Sequence, residues 1–137
     1  MNRSDFQRLA GLRLNEARAL LDAGLPDGAY YLGGYAVECA LKACIARRTQ
    51  EHDFPDKRLV EKSYTHDVER LIEAAGLADS LKGALAQNLG LKLNWETFRQ
   101  WSEQSRYESN SSQDARDLLN AIEDRAGGLL SWIQRHW

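Results

Sequence analysis

Proline, cysteine, histidine and methionine are all scarce here: two prolines, two cysteines, three histidines and one methionine in 137 residues. Only Pro26 and Pro55 interrupt the chain. Cys39 and Cys44 lie five apart in an apolar stretch. That spacing suits neither a metal motif nor a bridge, so buried free thiols in a reducing compartment are expected. His52, His66 and His136 add no ligand spacing, and neither a metal nor a cofactor is expected. No Gly-x-Gly-x-x-Gly, P-loop or serine-hydrolase elbow occurs. No apolar run approaches membrane-spanning length, and the start, Met1-Asn-Arg-Ser-Asp, lacks a signal-peptide core. A cytoplasmic protein without membrane contact is expected. A formal charge of −2 argues against coating nucleic acid by bulk charge, while leaving room for a local basic patch.

What is present is helical pattern. With 43% hydrophobic and 28% charged residues the composition is ordinary for a globular protein, and the length fits one domain, residues 1–137, with its core over about 12–135. The most informative stretch is Gly28–Arg48, one long helix with almost no polar residues in its first five turns. At 100° per residue, Leu32, Ala36, Cys39, Ala43 and Ala46 line one side, and Val37, Leu41 and Cys44 another. Tyr31, Tyr35, Glu38 and Lys42 form a stripe between them. A helix apolar on two sides belongs in the middle of a bundle. Glu38 and Lys42, spaced i,i+4 with the acid first, suit an ion pair that fixes bundle register, or a reach toward Arg106.

The remaining helices follow from capping and periodicity. Ser4 and Gln7 suggest a capping box for a first helix to about Ala23, with Gly24 as its C-cap. Leu25-Pro26-Asp27 then turns the second helix back antiparallel. The polar segment 49–64 reads as a loop. Thr65 is expected to cap a third helix ending at Gly76, followed by helical stretches over about Asp79–Leu89 and Asn94–Gln104. A last helix is expected from near Asn110–Ser112 to the end, containing Gly127-Gly128. Strand alternation is absent, so the fold class is all-α, an antiparallel up-and-down bundle of four to five helices.

Three motifs resemble one family. Tyr35-Ala-Val-Glu38-Cys-Ala-Leu-Lys42 resembles the A-x-E-x-x-L-K signature of the prokaryotic HEPN domain, Thr65-His66-Asp67-Val68 resembles its T-H-D-L, and Ser105-Arg106-Tyr107 resembles the R-Y before its last long helix. They occur in the family's order. The resemblance implies a helical bundle, commonly a homodimer, in nucleotide- or RNA-linked roles. It also implies a small nucleotidyltransferase as partner in toxin–antitoxin or defence pairs. Some members are metal-independent ribonucleases that carry Arg-x4–6-His where Arg106 falls.

In such a site a histidine moves the 2′-hydroxyl and leaving-group protons while an arginine stabilises the phosphate. Here Arg106 is followed by Tyr107-Glu-Ser-Asn-Ser-Ser112, with no histidine at a permitted spacing. Arg47-x4-His52 has the spacing, but at the end of the second helix, where basic residues also suit a helix C-terminus. His66, at a helix start, either hydrogen-bonds a neighbouring carboxylate or backbone carbonyl, or donates into a cleft near Glu38, Lys42 and Arg106, where a helix N-terminus favours an anion. The catalytic candidates are therefore Arg106 and His66. The ligand-binding candidates are Glu38, Lys42, His66, Arg106 and Tyr107, and the family resemblance implies that Tyr107 can also be a target for a partner's nucleotidyl transfer. Trp95, Phe98, Trp101, Trp132 and Trp137 read as core and interface rather than a base-stacking platform, since acidic neighbours repel a phosphate backbone. Gly127-Gly128 suggest close packing against another helix or another subunit, and with the many aromatic residues they suggest a homodimer. The expected function is a HEPN-like module without robust nuclease activity. The alternative is a metal-independent ribonuclease toxin whose Arg/His site forms in a dimer.

Overall fold

The computed structural model describes residues 1–51 and 57–137. Pro55 and His52, and with His52 the Arg47-x4-His52 motif, fall at least partly outside them. Among the described residues the chain is all-helical: α1 (Arg3–Asp22), α2 (Pro26–Glu51), α3 (Lys57–Ser63), α4 (Val68–Ala74), α5 (Ala78–Gln87), α6 (Leu89–Phe98), a 3-10 turn (Glu103–Tyr107), α7 (Ser112–Glu123) and α8 (Leu129–Gln134). The all-α bundle expected from the sequence holds, with short helices added to the main ones.

The first helix opens two residues earlier than expected. Asn2 Oδ1 accepts from the Asp5 N–H while Asp5 Oδ2 accepts from the Asn2 N–H, both at 2.9 Å, a complete capping box that displaces the Ser4–Gln7 reading. Gly24 ends α1 with φ +78°, and the Leu25 N–H to Leu20 carbonyl bond at 2.8 Å closes the turn that sends α2 back along α1. Segment 49–64 is not wholly loop. α2 continues to Glu51, and Lys57–Ser63 forms α3, because its polarity is that of an exposed helix as well as of a loop.

α2 is the central element, packing on α1, α4, α7, α8 and the 3-10 turn. Ala36, Val37, Ala40, Leu41 and Ala43 are fully enclosed, and Leu71, Leu118, Leu119, Ile122, Leu129 and Ile133 close around them. Each such valine, leucine or isoleucine side chain contributes about 1.5–3 kcal/mol on burial. Gly34 lets the row of rings approach: a Cβ there would lie inside the Trp101 indole. Trp101, Phe98 and Trp95 stack in sequence with centroids 6.1 Å apart, and Tyr31 on α2 stacks on Trp101 at 6.4 Å. The three are 6%, 1% and 6% exposed for Trp101, Phe98 and Trp95, so this row is core.

The expected final helix is broken. Asp124–Gly128 separates α7 from α8, and Gly127-Gly128 lies in that break. A Cβ at Gly127 would sit 2.8 Å from the Leu91 nitrogen and 2.9 Å from the Gly90 carbonyl carbon. The close approach inferred for this pair is therefore made within the chain, to the first turn of α6.

Candidate functional site

The site begins with a buried acid on the central helix. Glu38 is 1% exposed. Its Oε1 lies 2.5 Å from His66 Nδ1, and its Oε2 has no hydrogen-bond partner among the described residues. The i,i+4 pair with Lys42 is not formed: Lys42 is half-buried without an ion pair among the described residues, because Glu38 turns to His66. Burial, reinforced by Glu38 and opposed by Lys42, pushes the neighbouring Cys39 thiol up to about 11.

The Thr-His-Asp segment explains how His66 is held. Thr65 Oγ1 accepts from the Asp67 N–H at 3.1 Å. Asp67, not Thr65, caps α4, its Oδ1 accepting from the N–H groups of Glu69 at 3.0 Å and Arg70 at 3.3 Å. A carboxylate reaches two N–H donors that a single hydroxyl in an extended residue does not. The expected anion position at this helix start is thus filled by the chain's own Asp67. Between these two locally bonded residues, His66 projects onto α2 with its side chain half exposed.

Arg106 reaches the same place from the 3-10 turn. Glu103 Oε1 lies 3.3 Å from Arg106 Nη1 and 3.6 Å from His66 Nε2. One carboxylate oxygen therefore faces both groups that the sequence singled out. The Arg106 guanidinium lies over the Tyr107 ring, 4.8 Å from its centroid. Some desolvation works against its charge, but Tyr107, Glu103 and Tyr31 outweigh it and raise its pKa above the ordinary arginine value. Tyr107 is largely exposed.

A cleft of about 630 Å³ opens beside these groups, between the start of α4, the end of α6 and the 3-10 turn. Tyr64, His66, Glu69, Trp101, Ser102 and Glu103 are among its walls, and Arg99 pairs with Glu69 across it at 3.2 Å. Of the residues chosen from the sequence, His66 lines the cleft, Glu38 lies buried behind it, and Arg106 is linked to it through Glu103. Lys42 and Tyr107 do not line it. Glu103 was missed as a site residue. Its i,i+3 spacing to Arg106 was the available signal.

With this geometry in hand, comparison with known families is decisive. The family model described as HEPN domain matches residues 4–136. The chain belongs to the HEPN domain family. Comparisons with curated proteins and with solved structures gave no match. As a HEPN domain it is a nucleotide- or RNA-related helical module. The three sequence motifs now have locations in it: the Glu38 segment on the central helix, Thr65-His66-Asp67 at the start of α4, and Arg106-Tyr107 in the 3-10 turn. No described helix is long and apolar enough to cross a membrane.

Proposed function

We propose that this HEPN domain contacts a phosphate group of a nucleotide or RNA through His66 and Arg106, and does so without robust nuclease activity. The position of the Glu103 carboxylate carries this reading. Metal-free cleavage of RNA needs a free base for the 2′-hydroxyl and a free cation for the phosphate. Here Glu103 faces both His66 Nε2 and Arg106 Nη1. Two like charges at 4 Å repel by about 1 kcal/mol in water and about 4 kcal/mol at a protein surface. A phosphate must overcome that repulsion before either group can act on it.

The module acts with a small nucleotidyltransferase in a defence or toxin–antitoxin type pair, as a homodimer in the cytoplasm. The exposed Tyr107 supports a role as the partner's nucleotidyl acceptor, since its hydroxyl lies outside the cleft.

A second reading, a metal-independent ribonuclease toxin with an Arg/His site completed in a dimer, is favoured by the Glu38–His66 bond. A buried carboxylate at Nδ1 fixes the imidazole so that Nε2 is the nitrogen presented outward, the arrangement a general base requires. Cleavage of a mixed RNA by wild type, Arg106→Ala and His66→Ala separates the two. The expected result is intact RNA throughout, with inorganic phosphate binding weakened in Arg106→Ala. Robust wild-type cleavage lost in both variants would establish the ribonuclease instead.

A further inference from the structure

Beyond the end of α4 lies a second group of basic side chains. Residues Cys44, Arg47 and Arg48 of α2, Gly76 and Leu77 after α4, and His136 after α8 surround a cavity of about 380 Å³. Arg48 Nη1 donates to the Ala74 carbonyl at 3.0 Å, and its guanidinium packs on Gly76, where a Cβ would lie 2.9 Å from Nη1. His136 is packed against the Trp132 ring at 5.0 Å. Its pKa is lowered by burial, then by the charges of Arg47 and Arg135. Among the described residues, no acidic side chain pairs with Arg48, Arg135 or His136.

Neutralising the C-terminal end of α4 uses only part of Arg48. The Ala74 carbonyl takes Arg48, while the Leu71, Ile72 and Glu73 carbonyls accept from the N–H groups of Ala75, Leu77 and Gly76. Arg48 thus spends one of its five donors there. Cys44 does not supply a balancing thiolate: burial pushes its thiol up to about 12, and Sγ is directed to the Ile133 carbonyl at 3.8 Å.

We propose that this cavity is a second anion site of the molecule, taking a phosphate group of a free nucleotide or of an RNA backbone between Arg48 and His136, in the field of Arg47 and Arg135. Planar guanidinium donors suit phosphate oxygens, and His136 supplies a further N–H. The site is distinct from the His66 cleft. α4, seven residues long, separates them by about 10 Å at 1.5 Å per residue.

The test is a titration of the full chain with inorganic pyrophosphate, followed through the imidazole NMR resonances of His66 and His136. Saturable movement of His136 is expected, with affinity about tenfold weaker in Arg135→Gln by the same resonance and in His136→Asn, which lacks that resonance, by calorimetry. Both variants leave the Arg48–Ala74 bond intact, and far-UV circular dichroism checks that each is folded. A parallel titration with a short single-stranded oligoribonucleotide assigns the source. If the RNA backbone is the ligand, the salt dependence of that binding falls by about one unit of slope in Arg135→Gln. If a free nucleotide is the ligand, pyrophosphate competes and that slope is unchanged. Movement of His66 alone, or of neither histidine, overturns the proposal, and movement of His136 alone leaves it standing even if the His66 cleft binds no phosphate.

Discussion

Glu38, inside the bundle, makes its one hydrogen bond among the described residues to His66, which is half exposed. The protein interior thus grips a residue at the cleft wall through a buried charge. Breaking a fully buried pair from one side costs about 3–5 kcal/mol, and less is expected here because water reaches the half-exposed His66. His66→Ala is therefore expected to destabilise the fold by more than its exposure suggests, and Glu38→Gln by less than His66→Ala, since a buried amide carries no charge. Urea unfolding of the two variants checks the order. Equal and negligible losses would mean that the pair does not tie the segment down.

Gly34→Ala tests how the aromatic row meets the central helix. Alanine gains about 1 kcal/mol in helix propensity. Its Cβ would occupy the Trp101 ring, which is buried and stacked on both Phe98 and Tyr31. Overpacking of this kind costs about 1–3 kcal/mol, so a net loss of stability with altered tryptophan fluorescence is expected. A gain in stability would show that the ring moves aside freely.

Gly127→Ala discriminates between two uses of the paired glycines. The added methyl would press on the backbone of Gly90 and Leu91, which cannot yield as a side chain tip does. The expected outcome is a lower unfolding midpoint with no change of mass by light scattering. A changed mass at unaltered stability would place the pair in a subunit interface.

The helix pattern and the bundle were legible because the signals are local. Apolar residues at helical spacing marked α2, and Gly24 and Gly76 marked the ends of α1 and α4, where φ is +78° and +72°. Three features were not legible, each for a long-range reason. Glu38 had two bases within reach, Lys42 one turn away and His66 in another segment, and only the packing of α4 on α2 decides between them. Gly127-Gly128 announced a close approach without saying to what. Glu103 was read as one more surface acid, because nothing local puts it beside a histidine thirty-seven positions away in sequence.

The two thiols set the alkaline limit. Both are raised from 9.0 in the fold, Cys39 to about 11 and Cys44 to about 12, chiefly by burial. A folded pKa above the unfolded value gives stability that is complete below pH 9 and lost as pH rises through the folded values. The urea midpoint is expected to fall between pH 9 and 11, and Cys44→Ala to fall less steeply than wild type. Fast labelling of the native thiols at pH 8 would contradict the burial on which this rests.

The central claim is that Glu103 occupies the position a phosphate oxygen would take between His66 and Arg106. Its most direct test is the affinity of wild type and Glu103→Gln for a short single-stranded oligoribonucleotide at low salt, with intact product checked on a gel. Glu103 is partly exposed, so the substitution should leave stability nearly unchanged while removing the repulsion. The account predicts binding about tenfold or more tighter in Glu103→Gln, and loss of that gain in Glu103→Gln combined with Arg106→Ala. Unchanged or weaker binding in Glu103→Gln, or robust cleavage by the wild-type protein, would contradict it.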